Sequence, residues 1–233
     1  MRRREFVMSA ATGLLTASPC VKAAFQDTPQ AGLKIRALKP PDKGLIQVAC
    51  AISRGTTEID YVGPQAVFET WYEDAVTRKP APRFKLFTVS DSREPVDGRI
   101  ADYTFDTCPA PNIVVIPAQR GSDALLEWLK KVTLTADVTM SVCIGAIHLA
   151  KAGLLKGQRA TSHHEAIDQL RKKFPEVNWV SGVRFVEGDR ISTAGGLTAG
   201  IDLALHVVER YFGRDAARGV ATHIEYEGRG WMV

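Results

Sequence analysis

The sequence predicts an α/β fold, a mostly parallel central sheet covered by helices on both faces, and three observations predict it. Short apolar runs of strand length alternate along the chain with stretches whose apolar residues recur at helical spacing. The run Ile113-Val114-Val115-Ile116 is apolar without alternation, as in a strand buried on both faces. Cys143 stands between such a strand and a helical stretch, with the small residues Gly145 and Ala146 behind it, which suits a sharp strand-to-helix turn. At 233 residues and 45% hydrophobic, the chain can bury one substantial core.

The first 23 residues read as a secretory signal: Arg2, Arg3 and Arg4, a mildly apolar run over 8–17, then Val21-Lys22-Ala23. Arg3-Arg4 followed by Phe6 resembles the twin-arginine export consensus, and the Ser, Thr and Gly residues diluting the apolar run suit that route. An exported, periplasmic protein is expected. The run is too short and polar to span a bilayer, so no stable membrane anchor is expected. Residues 24–43, rich in Pro, Gln and Lys, read as a linker or extended arm, and one domain is expected over 44–233.

Within that domain, 45–52 has the length and apolar content of a first strand, and 64–79 carries apolar residues at helical spacing. Residues 84–89 read as a strand, 98–105 as a hairpin or short strand pair, and 113–116 as a central strand ending at Pro117. Ser122 and Asp123 cap a helix whose apolar side carries Leu125, Leu126, Trp128 and Leu129. A strand over 138–142 is followed by Cys143, and a helix over 144–152 closes at Gly153. Residues 164–174 read as a helix, 177–180 and 191–193 as strands, and 198–212 as a long helix after Gly195-Gly196.

Charge and motif content exclude several functions. Four of the 30 Lys/Arg and one of the 26 Asp/Glu lie in residues 1–23, so most of the formal charge of +4 belongs to the leader. The remainder is near neutral, without the clustered basic face that nucleic acid requires. Paired CxxC spacing, GxxxxGK[ST] and GxSxG are all missing, so no metal or other cofactor is expected. The neighbours His163-His164-Glu165 do not make a metal site, because adjacent helical residues point about 100° apart. Beyond the leader the cysteines are Cys50, Cys108 and Cys143, an odd number, which leaves a thiol unpaired within the chain.

Cys143 is the candidate nucleophile. In a parallel sheet, ligands bind beyond the carboxyl ends of the strands, where this residue falls. The following helix aims its positive end at the sulfur and is expected to lower the thiol pKa. The alternative is an ordinary buried cysteine.

Four blocks then carry a resemblance. The segment 141–146, Ser-Val-Cys-Ile-Gly-Ala, with 152–163, Ala-Gly-Leu-Leu-Lys-Gly-Gln-Arg-Ala-Thr-Ser-His, is similar to SVCTGxxxLxxAGLLxGxRATTHW of the isonitrile hydratase branch of the DJ-1/PfpI superfamily. Residues 194–205 resemble its GGGxTAGIDxAL, and 59–64 its LDxxGP. The resemblance covers about residues 45–226 and implies a flavodoxin-like sandwich with the cysteine at a nucleophile elbow. It implies that Asp60 reaches the sulfur and relays a proton, although Asp60 also reads as an N-terminal helix cap. His163 lies where family members carry a histidine near the pocket.

Departures are equally readable. Ile144 stands where the family often has Thr or His, and Pro117-Ala118-Gln119-Arg120-Gly121 where it has Pro-Gly-Gly. The amides of Gln119 and Ile144 are expected to face developing negative charge, with Ala118 and His163 beside them. Glu73, Trp71 and Arg120 are expected to reshape the pocket, and His164 replaces a Trp. The resemblance implies hydration of a small electrophile through Cys143 and Asp60, or, with a degenerate pocket, a non-catalytic sensor. Glyoxalase or deglycase activity is a third reading. It also implies a homodimer with a small-molecule substrate, and no helix-turn-helix domain is expected after the last helix.

Overall fold

The computed structural model describes residues 35–70, 72–73, 80–81 and 83–232; the leader and Trp71 lie outside the described residues, as does the side chain of Glu73. A seven-stranded sheet runs through the middle in the order β10-β11-β7-β6-β1-β4-β5. Its members are β1 (Ile46–Ala51), β4 (Phe84–Ser90), β5 (Tyr103–Thr104), β6 (Ile113–Ile116), β7 (Val138–Ser141), β10 (Phe185–Val186) and β11 (Ile191–Ala194). Neighbours are parallel except β10, which runs antiparallel to β11. Both outer strands are two residues long.

Strand alternation sends neighbouring side chains to opposite faces, and each face receives its own layer of helices. Val48, Cys50, Val115 and Met140 pack under α1 (Ile59–Glu69), α5 (Ala199–Phe212) and α6 (Arg214–His223). Ala49, Ala51, Val114 and Ile116 face α2 (Asp123–Val132), α3 (Ala146–Lys151) and α4 (Ile167–Lys173). The expected α/β sandwich, mostly parallel and covered on both faces, is therefore the observed one.

Several local expectations change. The helix expected over 64–79 starts at Ile59 and ends at Glu69, with Pro64 inside it. The turn over 57–58 nucleates it, since Asp60 N–H and Tyr61 N–H donate to the carbonyls of Thr57 and Glu58. Residues Tyr72–Glu73 (β2) and Pro80–Ala81 (β3) instead form a two-stranded antiparallel pair. Of the hairpin or short strand pair expected over 98–105, the extra strand is β5, parallel to the end of β4, and Val96 and Arg99 make a tight antiparallel bridge before it. Asn178–Trp179 (β9) pairs with Arg159–Ala160 (β8) in a separate small sheet. Ser122 caps α2 as expected, its Oγ accepting from Leu125 N–H at 3.2 Å.

Part of the arm is described from residue 35. Leu38 is buried in the core and its N–H donates to Arg210 O at 2.9 Å. Arg210 sits with Glu187 and His206 in a buried ionic cluster at the same place.

Candidate functional site

β7 delivers Cys143 to the carboxyl-end rim of the sheet. Val142 is still extended, and Cys143 turns into the left-handed region at φ 58°, which non-glycine residues rarely occupy. A 3-10 turn, Cys143–Gly145, leads into α3. Three bonds hold the turn: Val142 N–H to Ile116 O at 3.0 Å, Cys143 N–H to Gly195 O at 2.8 Å, and Ser162 Oγ to Cys143 O at 2.9 Å. A Cβ on Gly145 would lie 2.2 Å from the Ile116 carbonyl oxygen, so only glycine fits there.

Asp60 is brought to the same place by the first turn of α1. It is fully buried, and its Oδ2 accepts from Ala118 N–H at 3.0 Å, not from the amides of its own helix. Its Oδ1 has no hydrogen-bond partner of good geometry among the described residues. Burial pushes the carboxyl pKa up, against the Ala118 amide, the His163 imidazole and the Leu197 amide. The Leu197 N–H is turned toward carboxyl and thiol alike, yet Oδ1 remains without a bond of good geometry.

The thiol of Cys143 is 8% exposed and pushed up to about 11, first by burial and then by the neighbouring Asp60 charge. The expected lowering is therefore reversed. The amides of Ile144 and Leu197 do favour thiolate, but α3 is only six residues long and loss of water outweighs them.

The remaining expected residues divide. The amide of Ala118 is spent on Asp60. The side chain of Gln119 points toward the end of β1, its Nε2 donating to Ala51 O at 3.0 Å, while the Gln119 backbone carbonyl meets His148 Nε2 at 3.1 Å. This disposes of the side chain that replaces a family glycine. Among the described residues, neither Gln119 N–H nor Ile144 N–H donates to a carbonyl or side-chain oxygen. The Ile144 side chain is exposed at the surface. His163 stacks against Gly196, where a Cβ would come 2.3 Å from its ring, and its imidazole is among the groups that oppose the rise of the Asp60 carboxyl. Arg120 is not brought to the sulfur; its N–H donates to Arg54 O, and it borders a separate cleft with Ser53 and Asp97.

Sequence reasoning missed Leu197, Ser162 and Gly195. Gly195-Gly196 signalled a loop, but not that Leu197 would follow at φ 54° with its amide turned toward both reactive groups. A cavity of about 250 Å³ opens beside this loop, bordered by His163, Arg184 and Leu197.

A family model described as DJ-1/PfpI family matches residues 46–210. The isonitrile hydratase of Pseudomonas putida is 34% identical over 130 residues, which is 53% of this chain and 55% of that protein. The HTH-type transcriptional regulator CdhR of Pseudomonas aeruginosa is 37% identical over 101 residues, 43% of this chain and 30% of that protein. The chain thus spans about half the length, or less, of these curated relatives. Among solved structures, a THiJ/PfpI family protein from Pseudomonas syringae matches with a TM-score of 0.66 and 28% identity, over 86% of this chain and 84% of that one. Drosophila melanogaster DJ-1beta matches at 0.64 and 17% identity, over 79% and 100%, a likeness of fold alone.

Proposed function

Because the chain belongs to the DJ-1/PfpI family, we propose that it is a cysteine-dependent enzyme that adds water to a small electrophilic carbon, as isonitrile hydratase does. The single observation that carries this reading is the pairing of a buried carboxylate, one oxygen unpartnered, with a thiol on a left-handed elbow. A thiol pushed up to about 11, first by burial and then by the Asp60 charge, keeps its proton near neutral pH. Asp60 is then a base for the Sγ–H proton, and turnover begins when sulfur attacks as that proton leaves.

With an isonitrile, a bond forms between Sγ and the terminal carbon, and Asp60 returns the proton to that carbon, giving a thioimidate. Water then adds at the same carbon, giving one proton to Asp60. Asp60 passes it to the nitrogen; the new hydroxyl then gives up its proton through Asp60 to the departing sulfur as the C–S bond breaks, the carbonyl forms, and a formamide leaves with the thiol restored. The amide of Gln119, which meets no acceptor among the described residues, and that of Ile144, which already favours the thiolate, are the donors for charge that develops on the way. Purified protein incubated with benzyl isonitrile is expected to release N-benzylformamide. Cys143→Ala should abolish this, and Asp60→Asn should lower kcat by about 10²–10⁴. Full turnover in Cys143→Ala would end the reading.

A sensor reading has its own support in the matches to transcriptional regulators and in the raised thiol. It predicts retention of a small molecule without turnover. The same proposal includes a homodimer. Ile59, Val62, Ile144 and Leu197 are large apolar side chains left exposed on α1 and on the two loops at the sulfur. Val62→Asp should shift the mass measured by light scattering from dimer to monomer. Export belongs to the proposal too, checked by N-terminal sequencing of protein recovered from the periplasm.

A further inference from the structure

The cavity of about 250 Å³ beside the loop 195–198 is not lined by Cys143 or Asp60 themselves but shares Ser162, His163, Gly195 and Leu197 with their surroundings. The Leu197 side chain borders the cavity while its amide faces the thiol, so one residue separates the two spaces. At roughly 30 Å³ per water, the volume equals about eight waters, enough for a group the size of a phenyl ring and its linker.

Much of the wall is apolar: Ile167, Val183, Leu197 and Ala199. Its polar side chains are largely committed elsewhere. Thr161 Oγ1 donates to Val180 O at 2.8 Å, Ser162 Oγ donates to Cys143 O, and Ser181 Oγ accepts from Arg171 at 2.7 Å. The Arg184 guanidinium is neutralised by Asp202, donating from Nε at 2.6 Å, and also reaches Thr198 and Tyr226. His163 and His164, which both border the cavity, lie with ring centroids 4.5 Å apart and reach Glu165 only at 3.8 and 3.9 Å.

We infer that this cavity holds the organic group of the molecule whose carbon meets Cys143, and that the group is compact and uncharged, with few hydrogen-bonding atoms, facing the His163-His164 pair. The inference rests on the reading of Cys143 given above. A carboxylate entering the cavity would shed water and find its one strong cation already paired.

Calorimetry on the Cys143→Ala protein tests this without turnover. N-benzylformamide should bind at least tenfold more tightly than the anion N-formylglycine. Val183→Phe, which fills the cavity, should weaken N-benzylformamide at least tenfold with the thermal midpoint unchanged. If that variant fails to fold, Ser181→Trp at the rim serves instead. Equal or tighter binding of N-formylglycine, no binding of N-benzylformamide, or binding that survives the filled cavity overturns the inference. Failure of the enzyme reading looks different: wild-type protein hydrates no isonitrile, while N-benzylformamide still binds and is still displaced by Val183→Phe. In that case the ligand assignment stands for a binding protein.

Discussion

Asp60 and Cys143 act on each other through charge. Removing the carboxylate takes away the second cause of the raised thiol, while burial, the first cause, stays. Asp60→Asn should therefore lower the apparent thiol pKa from about 11 and leave it above the ordinary range near 8.5. Alkylation rate against pH reads this, and an unchanged or higher midpoint would show that the two groups do not face each other. Gly145 makes an equally sharp residue-scale case. A methyl group there meets a backbone oxygen, which cannot rotate away as a side chain could, so Gly145→Ala should cost about 1–3 kcal/mol or more by denaturant unfolding. The thiol's height could not be read from sequence, because the sequence names the helix end that lowers it but not the water that folding removes.

At the scale of elements, legibility followed side-chain pattern. Ile113–Ile116 was readable because four consecutive apolar residues allow little else, and α2 because Ser122 stands one residue before an apolar stripe. Ser122→Ala should cost about 1 kcal/mol, measured from the urea midpoint, since one amide of the first turn loses its acceptor. α1 was misread because Pro64, a common first-turn residue, drew the start toward itself, while the true start rests on backbone bonds to Thr57 and Glu58 that leave no side-chain mark. Cys143 was readable from its place between a strand and a helix, whereas the place of Asp60 beside it came from motif resemblance. The loop 195–198, which completes their surroundings, is set by partners far along the chain: Gly195 O holds Cys143 N–H, and Thr198 meets Arg184.

For the molecule as a whole, buried acids that stay protonated tie stability to pH. Cys50 is pushed up to about 12 and Cys143 to about 11, in both cases chiefly by burial. Burial likewise raises the phenols of Tyr211 and Tyr226. Unfolded thiols ionise near 8.5. Above that value the folded chain holds more protons than the unfolded one, so stability falls as pH rises toward 11 and is fully present below the unfolded value. The melting temperature should decline from about pH 9 upward, and Cys50→Ala should flatten the decline. A melting temperature that is level between pH 9 and 11 would contradict this.

The central sheet ends in β5 on one flank and β10 on the other, each two residues long. A strand offered by a foreign chain would find only two residues' worth of amides and carbonyls on either outermost strand, so templated growth through β5 or β10 has little to zip onto.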